Sequence, residues 1–437
     1  MSKINHTQAL IDFIDRSPTP FHAVENMRQL LLTNKFVELR EDESWSLESS
    51  GKYFTTRNGS SIIAFRLGDE LTEGFRMIGA HTDSPCLRLK PNPTNLTNGY
   101  VTFGVEVYGG ALLNPWFDRD LSIAGRVVLK KPNGDLISRL VNLEESVAFI
   151  PSLAIHLDRD ANSKRSVNAQ TMLPPLVGMA GDSSFDFSGL ILQRLIDDGK
   201  SDAQDLLSDF ELSLFDTNGG KEVGTNNEFL VSARLDNLLS CWLGLQALLT
   251  SESTEVNQLI VCNDHEEVGS GSFVGAKSNF LSGVLKRLSQ EEVGFQKMIS
   301  KSLLVSTDNA HALHPNFPDK HDSSHGPLIN QGPVLKINSN QAYATNSESA
   351  ALLRSAATRA GLNMQNFVVR SDMACGSTIG PLTASQLGIR TVDVGVPTFG
   401  MHSIRELAGC KDIESMRGLL RAVLELDSLV VKDSSSN

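Results

Sequence analysis

The sequence predicts an α/β fold, a mostly parallel sheet flanked by helices, with a β-rich domain inserted into it. Three observations carry that prediction. Short apolar runs, "RMIGAH", "LIVCND", "SLLVSTDNAH" and "TVDVGVP", have the length and continuity of strands buried on both faces. Helical stretches such as "RLDNLLSCWLGLQALL" and "ESAALLRSAATRAG" lie between them, and this alternation marks a parallel sheet. Separating the outer pieces is a segment whose apolar residues recur at every second position, the period of half-buried strands.

Taken in order, the chain opens with Leu10, Ile11, Phe13 and Ile14 at helical spacing, interrupted by Asp12 and Asp15. That pattern is expected of neither a signal peptide nor a membrane span. A first buried strand ends at His81. "PNPTNLTNG" (Pro91 to Gly99) then reads as a joint, and "YVTFGVEVYGG" and "LSIAGRVVLKKPNGDLISRLV" begin a β-rich unit, the latter turning at "PNG". A second joint, "TNGGKEVGTNNE" (Thr217 to Glu228), returns the chain to strand and helix alternation. The expected organisation is a discontinuous α/β domain of residues 1–92 and 229–437 around an inserted β-rich domain of residues 93–228.

Composition narrows the class. A chain of 437 residues holds two or three units at roughly 150 residues each. With 40% apolar and 21% charged residues it has the make-up of a soluble globular protein. A net charge of -12 argues against nucleic acid or an anionic membrane as partner, because phosphates are neutralised by clustered Lys and Arg. Peptides or small molecules fit better. Five cysteines without a C-x-x-C pair form neither a disulfide framework nor a cysteine-rich zinc site, and point to a reducing cytoplasm. Cys86 and Cys375 read as small packing residues.

The chemistry gathers where the apolar runs end, the place at which open α/β sheets bind ligands. His81 and Asp83 stand in "GAHTDSP", Glu266 and Glu267 in "DHEEVGS", and Asp308 in "STDNAH". Asp236 opens the helix after "ARLDN", and His402 follows "VDVGVPTFGM". Singly, each has a plain explanation: Asp236 could cap a helix, and a strand-end histidine could be structural. Together, two histidines and three carboxylates make a ligand set for two divalent cations sharing a bridging carboxylate. Such cations would offset the repulsion between Glu266 and Glu267. One glutamate could then bind metal while its neighbour takes a proton from water.

The motifs "AHTDSP", "RLDN", "DHEEVGS", "STDNAHALHPN", "GPVLKINSNQAYAT", "CGSTIGP" and "GMHSIRE", in this order, resemble the aspartyl aminopeptidase family of co-catalytic zinc metallopeptidases. The resemblance runs from "SPTPFHA" to "MHSIRE" and so covers almost the whole chain. It implies the phosphorylase/hydrolase-like zinc-peptidase fold with an inserted dimerisation domain. It also implies removal of an N-terminal Asp or Glu from peptides. By resemblance, His81 and Asp308 hold one metal, Glu267 and His402 the other, and Asp236 bridges them. Glu266 corresponds to the general base, and Asp83 to the group that orients the His81 imidazole. Lys336 in "GPVLKIN" corresponds to the cation of the substrate pocket, while His314 and His325 match positions near the site. The resemblance further implies a homododecamer in which His156, in "IHLDR", is lent to a neighbour's site. The sequence departs from the family at Ala374, where proline is expected. Zinc is the implied metal, with manganese or cobalt also acceptable to such ligands.

Other readings are weaker on the residues. "VGSGSFVGAKS" lacks the spacing of a phosphate-binding loop, and the glutamates before it would repel phosphate. A related aminopeptidase preferring neutral residues, or an amide-cleaving deacylase, would share the metal ligands and differ at Lys336. A shell-forming or binding protein without catalysis would show a degraded ligand set, whereas every ligand is present.

Overall fold

The computed structural model describes residues 5–181, 185–289 and 291–431. The chain divides into two compact units, one of Met1–Asp83, Gly220–Met401 and Glu406–Asn437, the other of Ser84–Gly219 with His402–Arg405. The joints therefore lie at Ser84 and Gly220 instead of at residues 93 and 228. Pro91 to Thr97 are the continuation of one strand, Cys86–Thr97, whose pairing shifts register between Leu89 and Thr94. Prolines are tolerated at such an irregularity because the ladder is already broken there. At the other joint, Lys221–Val223 pairs with Phe229–Ser232 and belongs with the first unit.

The first unit is built on a nine-stranded sheet. Its centre runs Asn257–Asn263, Phe75–His81, Leu303–Thr307 and Arg390–Gly395, neighbours that all pair parallel. Ser61–Arg66 continues it antiparallel on one side and Val334–Lys336 on the other. Every residue of the first three central strands is buried. Alternation along these strands sends side chains to two layers. Ile78, Ile260, Val305 and Val392 face a core shared with the helices His6–Asp15, Pro20–Thr33, Leu235–Thr250, Ser347–Arg359 and Cys410–Leu424. Met77, Leu259, Val261 and Leu304 face the opposite layer, with Phe280–Ser289 and Glu292–Ser300.

Helix Leu235–Thr250 is buried along nearly its whole length, which is why its sequence is apolar on all sides. Helix Ser347–Arg359 starts where Asn346 and Ser349 exchange side-chain to backbone hydrogen bonds, a capping box that satisfies two otherwise unpaired donors.

The second unit carries a six-stranded antiparallel sheet in the order Leu136–Asn142, Leu121–Lys130, Leu206–Asp216, Cys86–Thr97, Tyr100–Tyr108 and Leu176–Met179. One face packs Leu87, Phe103, Ile123, Val127 and Leu212 against Ile191 and Leu195 of helix Phe187–Asp197. Among the described residues no helix is long and apolar enough to cross a membrane.

Candidate metal centre

Strand order assembles the site. Asn263 lies opposite His81, and Ser306 opposite Gly79, so the segments leaving Asn263 and Thr307 emerge on either side of the His81 ring. All three strands are parallel and deliver their carboxyl ends to one edge.

His81 is 1% exposed. Its Nε2 lies 3.5 Å from Asp236 Oδ1, 3.9 Å from Glu266 Oε2 and 3.9 Å from Asp308 Oδ1. Its Nδ1 lies 3.0 Å from the Asp83 carbonyl oxygen and 3.3 Å from Asp83 Oδ1. A carbonyl only accepts, so Nδ1 carries a proton and Nε2 is the ring nitrogen that faces the carboxylates, offering a lone pair there when the ring is neutral.

Asp83, fully buried, also organises the neighbouring turn. Its Oδ1 accepts the backbone N–H of Glu266 and its Oδ2 that of Glu267, each at 3.1 Å. The turn is entered through His265 at φ 63° and left through Gly269 at φ 90°, both left-handed. Asp236 arrives from the opposite side at the start of its helix. Its N–H donates to Glu406 Oε2 at 2.9 Å, and Asn237 Nδ2 donates to the Thr307 carbonyl at 2.9 Å.

The electrostatics are those of a crowded anionic site. Burial pushes the Glu266 carboxyl up to about 8, against the pull of His81 and with the help of Asp308, Glu267 and Asp83. Burial likewise raises Asp264 to about 6, with Asp83 adding to it. Burial alone would lower the His81 imidazole, but Glu266, Asp236, Asp308 and Asp83 reverse this and hold it well above its usual range.

A divalent ion fits this donor set. Ligand atoms of His81, Asp236 and Asp308 lie within 4.8 Å of one another, as do those of His81, Glu266 and Glu267. One imidazole lone pair and several carboxylate oxygens aimed at a common space are the ligands of zinc, and are acceptable to manganese or cobalt. Divalent-metal chemistry thus has a place in these residues.

Lys336, 2% exposed, stands behind Asp308. Its Nζ donates to the carbonyls of Asp308 at 3.2 Å and Asn309 at 3.0 Å, and lies 3.4 Å from Asp308 Oδ2. Burial depresses its ammonium, yet Asp308, Tyr343, Asp393 and Asp236 more than compensate, and its pKa is raised. Nζ also sits 4.8 Å from the centre of the Tyr343 ring. Tyr343 also lines a cavity of about 300 Å³, together with His311, His314, Lys320, His321 and Arg370 among others.

The remaining sequence candidates are placed individually. His314 lines the cavity and packs on Phe317 and Phe399, with ring centroids 4.9 and 5.1 Å away. His325 is not a lining residue; its Nδ1 contacts Asp322 Oδ1 at 2.6 Å. His156 is exposed in a turn of the second unit. His402 belongs to the segment grouped with that unit, where its Nδ1 lies 3.2 Å from the Gly110 carbonyl. Sequence reasoning passed over Glu406, which holds Asp236, and Tyr343, which lines the cavity with the Lys336 ammonium 4.8 Å from its ring centre. Both stand inside recognised motifs, "MHSIRE" and "NQAYAT"; Glu406 is 170 residues from Asp236 and meets it only on folding, whereas Tyr343 and Lys336 belong to the same motif.

Comparison with known proteins places the chain in a family. Residues 13–423 match the family model described as aminopeptidase I zinc metalloprotease (M18). A relative from Pseudomonas aeruginosa (strain UCBPP-PA14), named "Probable M18 family aminopeptidase 2", is 54% identical over 418 residues, or 95% of this chain and 97% of its own. The fold superposes with a TM-score of 0.92 on a chain in the cryo-EM structure of the Ape4 and Nbr1 complex, at 40% identity, covering 96% of this chain and 85% of that one. It matches the S. cerevisiae mApe1 dodecamer structure with a TM-score of 0.83 at 31% identity, covering 95% of each chain. Family model, sequence relatives and fold agree over nearly the full length: this chain belongs to the M18 family of zinc metalloproteases and is a metallo-aminopeptidase.

Proposed function

We propose that this aminopeptidase removes N-terminal Asp or Glu from peptides, using two divalent ions. His81 and Asp308 would hold one ion, Glu267 and His402 the other, with Asp236 between them. Bound there, the ions would lower the pKa of a water and polarise the peptide carbonyl. Asp83 keeps the proton of His81 on Nδ1 and sets the Glu266–Glu267 turn. Glu266, whose carboxylate reaches the space shared by His81 and Asp308, takes the proton of the attacking water and passes it to the departing amine. The observation that carries this reading is the convergence of Asp236, Glu266 and Asp308 on one buried imidazole nitrogen.

Preference for an acidic side chain is supported by the family resemblance and by positive charge around the cavity. Lys320 and Arg370 stand at its wall, and the Lys336 ammonium lies 4.8 Å from the ring centre of Tyr343, another lining residue. One observation favours the neutral-residue alternative: the Lys336 hydrogens already have acceptors within the protein. His314 would contact the peptide, and His156 and His325 would serve substrate or assembly. Self-association through the inserted unit into a homododecamer is proposed on the likeness to mApe1, and a cytoplasmic location on cysteine usage.

The deciding experiment measures release from Asp-, Glu- and Leu-p-nitroanilide before and after chelation, then after adding zinc, manganese or cobalt. Fast, metal-dependent release from the acidic substrates with Leu far slower supports the proposal. A preference for Leu keeps the metal chemistry and removes the acidic pocket.

A further inference from the structure

We propose that Lys336 is a positioning residue for Asp308, needed for substrates of every kind and not for acidic ones alone. This rests on the reading of Asp308 as a metal ligand. An ammonium has three hydrogens, and three oxygens stand around this one: Asp308 O, Asn309 O and Asp308 Oδ2. Lys336 therefore grips the turn that follows strand Leu303–Thr307 by its backbone and its carboxylate together.

The surroundings leave it little freedom for another task. Tyr343 lines the cavity and Lys336 does not, so a substrate carboxylate in that cavity meets the phenol ring first. To reach the ammonium it would have to displace an existing acceptor. The Lys336 charge also acts at longer range on a buried carboxylate, Asp393, whose oxygens accept from Ala344 N at 2.7 Å and Thr378 Oγ1 at 2.6 Å. Removing the lysine charge would leave the Asp308 carboxylate without its ion-pair partner in a low-dielectric region. The Asp308 side chain would then turn from the position that His81 and Asp236 share with it.

The test compares Lys336→Met, Lys336→Gln and Lys336→Arg with the unaltered enzyme. Metal retention is read by elemental analysis after dialysis against graded chelator, and kcat and KM are read on Glu- and Leu-p-nitroanilide. Loss of the charge should release metal at about 10- to 100-fold lower chelator concentration. It should lower kcat by a common factor on both substrates, with Lys336→Arg recovering part of each. Unchanged metal retention, with a defect confined to KM for the Glu substrate, would overturn the inference. Should Lys336→Met fail to fold, Lys336→Gln carries the same criterion. Asp308→Asn serves as reference: metal retained there removes the ligand reading itself, whereas metal lost there but kept in Lys336→Gln removes only the positioning role.

Discussion

Asp83 Oδ2 accepts the backbone N–H of Glu267 at 3.1 Å, while its other oxygen does the same for Glu266 and lies 3.3 Å from His81 Nδ1. A single carboxylate thus holds a histidine from one strand end and two glutamates from the next. Asp83→Asn keeps the shape but replaces one acceptor with an NH2 group that opposes an N–H donor. Second-layer changes of this type cost about 10- to 100-fold in metal affinity or activity. Chelator titration and steady-state kinetics should both register the loss.

Glu266→Gln separates proton handling from metal binding. An amide cannot take a proton from water at neutral pH, so turnover should fall by about 10²- to 10⁴-fold. Metal content should match the unaltered enzyme because the backbone N–H at position 266, which the substitution leaves in place, still meets Asp83. A variant that keeps substantial activity would remove Glu266 from the role of base.

Gly395→Ala tests the support beneath Asp308. A Cβ at Gly395 would come within 2.0 Å of the Asp308 carbonyl oxygen and 2.9 Å of the Asn309 carbonyl carbon, which is backbone that must shift. The expected cost is about 1–3 kcal/mol of stability, with weaker metal retention. Gly79→Ala is the control, since its Cβ would meet the end of the Ile379 side chain at 3.1 Å, a group that can move. Urea unfolding of the two variants should rank them in that order.

Asp412 predicts a pH dependence remote from the metal ligands. This fully buried carboxylate accepts the backbone N–H of Asn330 at 2.6 Å and of Gly332 at 2.8 Å. Burial nevertheless raises its pKa from 3.8 to about 6. Below the lower value both states are protonated, and the native state has its full advantage. As pH rises towards about 6, the unfolded chain has released the proton that the native state retains, so its contribution to stability declines, then levels off. The stability difference between the unaltered chain and Asp412→Asn should fall across this window; a difference independent of pH would show that Asp412 titrates normally.

Much of the first unit was legible because its strands are buried on both faces. "LIVC" and "LLV" are unbroken apolar runs, and a parallel α/β sheet is the arrangement that buries such runs beneath two helical layers. The domain joint was less legible. Pro91 and Pro93 look like linker residues, yet they lie in a strand whose pairing is irregular between Leu89 and Thr94, so the missing N–H donors break no regular ladder.

By itself the sequence determined the residue types and their location at strand ends: His81, Asp83, Glu266, Glu267 and Asp308 each follow a buried apolar run, a pattern set by local periodicity. It also determined the family, because seven ordered motifs persist in one dimension. Only the tertiary structure decided which groups share a space. The spatial order of Asn257–Asn263, Phe75–His81 and Leu303–Thr307 differs from their order in the chain, and that order puts Glu266 and Asp308 on either side of His81. The surroundings of Lys336 were decided there too: its acceptors, the carbonyls of Asp308 and Asn309, lie 28 and 27 residues away in the turn after strand Leu303–Thr307. Local periodicity records which face a side chain occupies, whereas the partner on that face depends on long-range packing.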